Sequence, residues 1–311
     1  MNIEIKENID LSTQTTFKIG GKAKFFVEIF SKDELRQAIE FSRKKNLKFF
    51  ILAGGSNVLI SDKGFEGLTI KMSNKKIYLE GAEVVCEAGA SLADLVNFSI
   101  ENSLTGLEWA AGIPGTVGGA VRGNAGAFGG EIKDSVSEVE VLDAKTDNLE
   151  VVKLKNEECH FGYRSSLIKE NNNLIVFSAR FKLSKGIARE SKILSEDIIK
   201  KRALKQPIGF SAGSFFKNPS TTDKSLIEKF EKDIKMKMRG DKMPAGWFIE
   251  DLGLKGKKIG GAQISEKHAN FIINTGKARA EDVIILSSFL KQKVRDKYGI
   301  QLEEEISKIG F

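Results

Sequence analysis

The chain holds only two cysteines, Cys86 and Cys159, and two histidines, His160 and His268, in 311 residues. Two thiols so far apart make no disulfide framework. Neither C-x-x-C nor H-E-x-x-H spacing occurs, which argues against a zinc site. No segment approaches the roughly 18 apolar residues needed to cross a bilayer. The N-terminal MNIEIKENID carries acidic residues and lacks the apolar core of a secretory signal. Aromatic side chains other than phenylalanine are scarce, with three tyrosines and two tryptophans against 21 phenylalanines, and no basic-aromatic pattern suggests RNA stacking. No two glycines stand two apart, so the G-x-G of a Rossmann fingerprint is missing. G-x-x-x-x-G-K-[ST] is missing as well, and Gly54-Gly55-Ser56-Asn57-Val58 lacks the final glycine of a nucleophile elbow. These absences leave a cytoplasmic protein with no metal site and no membrane segment, and exclude the commonest nucleotide-binding folds.

Glycine itself is abundant and clustered. The stretch Gly106–Gly130 carries nine of the chain's 30 glycines in 25 residues. Glycine is placed where the backbone needs positive φ or must lie against a ligand with no Cβ between. With one proline, one tryptophan and almost no charge, this is no flexible linker. A second cluster, Leu52-Ala53-Gly54-Gly55-Ser56-Asn57, follows an apolar run. Either cluster alone could serve tight turns in a sheet-rich core. Together they fit a ligand with several phosphates held by backbone N–H groups.

The formal net charge of +7 is spread along the chain with acids interleaved, as in Lys224–Lys242. Such interleaving marks a solvated face more than a nucleic-acid arm, and the excess suits a cleft for a small polyanion. The chain has room for two or three domains and reads in three parts. Residues 1–75 alternate strands with one helix, which Ser31 opens with Glu34 three on. Residues 76–186 are mostly strands, at Val84–Glu87, Val136–Leu142, Glu150–Leu154 and Ile175–Leu183, interrupted by a helix at Ser91–Asn102. A polar stretch at Leu183–Arg189 marks a boundary before a helix at Ile187–Lys205. Residues 187–311 end in a long helix, Ala280–Tyr298, that Gly299 stops. The class is α+β.

Four segments resemble the UDP-N-acetylenolpyruvoylglucosamine reductase family of flavoenzymes. They are Thr15-Thr16-Phe17-Lys18-Ile19-Gly20-Gly21 with Gly54-Gly55-Ser56-Asn57; Ile113-Pro114-Gly115 through Gly130; Phe161-Gly162-Tyr163-Arg164-Ser165-Ser166; and Ala212-Gly213-Ser214-Phe215-Phe216-Lys217-Asn218-Pro219. Ala245-Gly246-Trp247, Ile259-Gly260-Gly261-Ala262, His268-Ala269-Asn270-Phe271 and Leu302-Glu303-Glu304-Glu305 follow in the family's order. Each motif is moderately specific, and their succession is very specific.

The resemblance implies a two-lobed FAD-binding domain of the vanillyl-alcohol-oxidase type, lobes 1–75 and 76–186, and a substrate-binding domain, 187–311. It implies non-covalent FAD on Gly54, Gly55, Ser56, Asn57, Ile113, Pro114, Gly115, Gly118, Gly119, Asn124 and Gly126. NADPH is the implied hydride donor and UDP-N-acetylglucosamine-enolpyruvate the implied substrate, reduced to UDP-N-acetylmuramate in peptidoglycan precursor synthesis. Hydride goes to C3 of the enol ether and a proton to C2. Arg164 would pair with the substrate carboxylate, Glu305 would share its developing charge, and Ser214 would deliver the proton. Lys217 and Asn218 would contact the nucleotide, while Gln263 and His268 are structural. Phe128 stands where many relatives have a substrate-contacting tyrosine, and no tyrosine lies between Arg164 and Ser214. The chain therefore resembles a shorter subclass without the tyrosine lid loop, in which Arg202 and Lys205-Gln206-Pro207 are candidates for the UDP phosphates. The enzyme is expected to be a monomer. A different flavoenzyme of the same fold, acting on an alcohol or hydroxy acid, would keep the glycine loops but has no reason to keep Ser214 or Glu305. A non-enzymatic nucleotide- or RNA-binding protein would rest on the charge alone.

Overall fold

The computed structural model describes residues 3–238 and 240–311. Its helices are α1 (Lys32–Lys44), α2 (Leu92–Glu101), α3 (Val117–Gly123), α4 (Leu167–Glu170), α5 (Ala188–Lys205), α6 (Lys224–Ile234), α7 (Ala245–Asp251) and α8 (Ala280–Tyr298). Local chemistry explains several ends. Ser31 and Ser91 cap α1 and α2 by accepting the N–H groups of Glu34 (3.2 Å) and Asp94 (3.0 Å). Gly299, at φ +66°, takes the left-handed turn that ends α8. No helix among the described residues is long and apolar enough to cross a membrane.

The chain forms two compact units that interleave in sequence. The first comprises residues 1–9, 23–55 and 65–204; the second comprises 10–22, 56–64 and 205–311. Within the first, a four-stranded sheet runs Lys6–Asp10, Lys22–Ile29, Phe65–Met72, Phe49–Leu52, the last three mutually parallel. A five-stranded antiparallel sheet follows, in the order Val151–Lys155, Val136–Asp143, Leu174–Lys182, Glu83–Glu87, Ile77–Glu80. The change of sheet thus falls at residues 73–76. One apolar cluster joins the two sheets with α1, α2 and α3, through Leu35, Ile39, Ile70, Val84, Leu95, Val117, Val139 and Phe181 among others.

In the second unit, strands Phe210–Ser214, Phe271–Asn274, Ala262–Ile264 and Lys258–Ile259 form an antiparallel sheet packed against α8. The segments 10–22 and 56–64 join it by parallel pairing of Val58–Ile60 with Ser307–Ile309 and by Gly21 N–H donating to Ser61 O at 2.8 Å. The compact units therefore break between residues 204 and 205, not in the polar stretch at 183–189. The reason lies in α5, whose buried face of Ser191, Ser195, Ile198 and Arg202 belongs with the first unit.

Candidate active site

The first unit supplies a glycine cradle. The Ala53–Gly55 turn and the Gly112–Gly119 segment meet, and at Gly54 there is no room for a Cβ. A Cβ on Gly54 would lie 2.9 Å from Gly115 Cα, and one on Gly119 would lie 3.4 Å from Ala53 Cβ. Gly54, Gly112 and Gly119 are exposed, so bare backbone faces outward here. Thr116 Oγ1, at the start of α3, is buried with no hydrogen-bond partner, and an orphaned hydroxyl in a polar site calls for a ligand atom. A backbone cradle with an unmatched donor fits the phosphates of FAD. Gly54→Ala is expected to weaken FAD binding at least 10-fold by prising the two loops apart, with little loss of helix content; flavin-fluorescence titration and circular dichroism check both.

Three expected cofactor residues carry structural contacts of their own. The Gly118 N–H is spent on Ala88 O (2.9 Å), and a Cβ there would stand 2.7 Å from Ala88 Cβ, so this glycine serves packing. Asn124, fully buried at φ +42°, donates to Glu131 (3.0 Å) and Gly162 O (2.9 Å) and accepts from the Lys133 N–H (3.1 Å). Its amide shapes the loop and leaves little for a ligand. Gly126 is the seat of Arg164: its carbonyl accepts from Arg164 Nη2 at 2.7 Å, and a Cβ would meet Nη1 at 3.3 Å.

Arg164 itself adopts φ +56°, the left-handed region that costs a non-glycine residue about 1–2 kcal/mol. Strain of this kind persists where surroundings enforce it, commonly at working sites. Here a tight Gly162–Ser165 turn, the Gly126 anchor, stacking over Tyr163 (5.1 Å) and Lys169 Nζ donating to the Arg164 carbonyl (2.7 Å) fix the residue. Arg202 lies in the same unit, buried on α5 with its guanidinium 5.1 Å from the Phe128 ring centre. A phenyl face at position 128 thus carries a cation.

The second unit holds Ser214 at the end of its strand, opposite Phe271, directly after Gly213 at φ +79° in a register shift. Asn270 is the residue sequence reasoning left without a role. Its backbone carbonyl accepts the Phe215 N–H (2.7 Å), its Oδ1 accepts the Phe216 N–H (3.0 Å), and its Nδ2 donates to Phe216 O (2.9 Å). His268 Nδ1 accepts the Asn270 N–H at 3.2 Å, a structural duty. The motif His268-Ala269-Asn270-Phe271 was visible, but nothing local told that its amide clamps the backbone beside Ser214.

Lysines engage two members of the acidic run. Glu303 pairs with Lys217 (3.2 Å), and Glu304 holds Lys291 (2.8 Å) and Lys308 (2.7 Å), hydrogen bonds that keep its carboxyl below the usual range against a desolvation that pushes the other way. The Glu305 N–H donates to Phe215 O at 2.8 Å, and its carbonyl accepts from Asn57 Nδ2 at 3.2 Å. Asn57, expected on the cofactor, thereby steadies the segment around Glu305. Asn218 Oδ1 accepts the N–H of Ala245, first residue of α7, at 3.0 Å. Gln263 donates to Gly256 O at 3.3 Å, again structural.

Comparison with known proteins matches residues 23–151 to an FAD binding domain and residues 205–309 to the UDP-N-acetylenolpyruvoylglucosamine reductase C-terminal domain. The chain is 41% identical over 305 residues to the UDP-N-acetylenolpyruvoylglucosamine reductase of Caldanaerobacter subterraneus, covering 97% of this chain and 93% of that protein. It is 38% identical over 313 residues to the reductase of Clostridium novyi, covering 99% and 92%. The crystal structure of the reductase MurB from Thermus caldophilus superposes with a TM-score of 0.77 at 31% identity, covering 99% of both chains. The chain, with a glycine cradle on one unit and Ser214 and Glu305 on the other, belongs to the UDP-N-acetylenolpyruvoylglucosamine reductase family.

Proposed function

We propose that Arg164, Ser214 and Glu305 carry the chemistry of this enzyme. The enzyme is an FAD- and NADPH-dependent reductase that turns UDP-N-acetylglucosamine-enolpyruvate into UDP-N-acetylmuramate for peptidoglycan. The observation that most supports these roles is the enforced left-handed backbone of Arg164, with its guanidinium anchored on Gly126. Bound FAD supplies the hydride chemistry that no side chain can, on the way from NADPH to C3 of the enol ether.

Addition at C3 puts negative charge on C2 and the neighbouring carboxylate. The Arg164 guanidinium meets that charge with a planar pair of donors. Groups preorganised toward developing charge are worth about 3–4 kcal/mol each. Glu305, the last acid of the run, shares the charge by hydrogen bonding. Ser214 Oγ delivers the proton to C2, held in place by the Asn270 clamp on the two residues after it. Lys217 and Asn218 contact the nucleotide diphosphate. The Lys217–Glu303 pair is no obstacle, because exposed ion pairs are worth only about 0–1 kcal/mol and a diphosphate displaces such a partner.

FAD binds without a covalent link. Residues 53–57 and 112–119 contain neither histidine nor cysteine. Both cysteines are buried, with Cys159 pushed up to about 11 by burial and Cys86 higher still, so neither offers a thiolate. Acid precipitation of the yellow protein should leave all flavin in the supernatant; flavin in the pellet would contradict this. The enzyme acts as a monomer in the cytoplasm, where NADPH and UDP-sugars are drawn from the same pool.

A further inference from the structure

The buried face of α5 is mostly polar, with Ile198 its one apolar member, where a helix ordinarily turns apolar residues inward. Ser191, Ser195 and Arg202 are 5%, 6% and 9% exposed, while Ile187, Ile193, Leu194 and Ile199 face solvent. This face runs along the entry to the second glycine loop. Ser191 hydrogen-bonds the buried carboxylate of Glu108 at one end, and at the other a Cβ on Gly112 would lie 3.1 Å from Arg202 Cδ. Between and beyond those contacts, Ser195 Oγ and both Arg202 Nε and Nη2 have no hydrogen-bond partner.

The two unmatched nitrogens of the Arg202 guanidinium are informative together. Nε–H and the neighbouring Nη2–H lie on one edge of the planar guanidinium, the edge that grips an oxyanion with two parallel bonds. A buried arginine with that edge unmatched costs stability unless an anion completes it. Gly112 is three residues from Gly115, at most about 10 Å of chain, so the fork stands at the mouth of the cradle that Gly54 and Gly115 form. We infer that Arg202, with Ser195 beside it on α5, grips a phosphate of FAD, not a phosphate of the UDP-sugar. Phe128 then acts as a plate that holds the guanidinium plane, at 5.1 Å from its ring centre. A residue outside the matched FAD-binding segment thus completes the cofactor site. The inference rests on the FAD reading of the cradle.

Arg202→Met keeps the stem and volume but removes the fork, and Arg202→Lys keeps the charge without it. Full-length protein stripped of flavin is titrated with FAD by fluorescence quenching and melted with and without FAD. Met at 202 should weaken FAD binding about 10- to 100-fold, with lysine in between. The flavin-free Met variant should melt no lower than flavin-free wild type, because it loses an unmatched buried charge, yet gain less from added FAD. An arginine that merely holds the fold would lower the flavin-free melting temperature as well, and that outcome overturns the inference. Unchanged FAD affinity with a raised KM for the enolpyruvyl nucleotide also overturns it, returning Arg202 to the UDP phosphates. Should wild type itself fail to bind FAD, the cradle reading falls, a result distinct from either of these.

Discussion

Replacing Ser214 with alanine is expected to slow the reaction of the NADPH-reduced enzyme with the enolpyruvyl nucleotide by about two orders of magnitude or more. NADPH should still bleach the yellow protein at the wild-type rate. The split follows from where the proton is needed. Bleaching by NADPH needs no proton at C2 of the nucleotide, whereas completing the enol ether reduction does. Ser214 ends the strand Phe210–Ser214, and the Asn270 clamp bears on Phe215 and Phe216, so losing one hydroxyl leaves the supporting hydrogen bonds intact. Stopped-flow absorbance resolves the two half-reactions. Equal loss in both would mean misfolding or lost FAD and would remove Ser214 from the proton-delivery role.

Glu305→Gln should lower kcat by about 100-fold or more while changing KM for the nucleotide little. The reasoning is that charge on the substrate carboxylate develops only after hydride addition, and a group acting on it is felt in the transition state alone. Glutamine keeps the shape and a donor but cannot share a proton. Arg164→Lys should be nearly as damaging despite its preserved charge, because an ammonium cannot reproduce the planar contact and cannot keep the Gly126 anchor in the same geometry. Lys217→Ala belongs to the opposite class: a diphosphate contact is the same in ground and transition states, so KM should rise with kcat nearly kept. Steady-state kinetics on the three variants, with Glu303→Gln beside them, checks the pattern. If Glu305→Gln moves only KM, Glu305 does not meet the developing charge.

Much of the secondary structure was legible because it follows from neighbours in sequence. The serine caps of α1 and α2, the stop of α8 at Gly299 and the alternating strands of the five-stranded sheet all obey local rules. The glycine clusters announced a cradle, but composition cannot say what each missing Cβ faces. Gly54 faces the other loop, Gly118 faces Ala88, and Gly126 faces Glu131 and Gly130 before Arg164, and only the fold separates them. The unit boundaries were hidden for a similar reason. Segments 10–22 and 56–64 join the C-terminal part through Val58–Ile60 pairing with Ser307–Ile309, a partnership between residues far apart in sequence with no local signature. The helix at 188–205 keeps Ser191, Ser195 and Arg202 buried beside Ile198 while Ile193, Leu194 and Ile199 are exposed, so its apolar pattern does not mark its buried face. Asn270 and Asn124 carry their roles in side-chain amides bonded to distant backbone, which no spacing rule reveals.

The most direct test of the central claim follows label through one turnover. The NADPH-reduced enzyme is mixed without oxygen with UDP-N-acetylglucosamine-enolpyruvate in deuterated water, and product is read by mass spectrometry and NMR. Return of the yellow colour should accompany UDP-N-acetylmuramate bearing solvent deuterium at C2. No return of colour with this nucleotide, or return with an alcohol-derived carbonyl compound in its place, would contradict an enol ether reductase and leave only an FAD-binding fold.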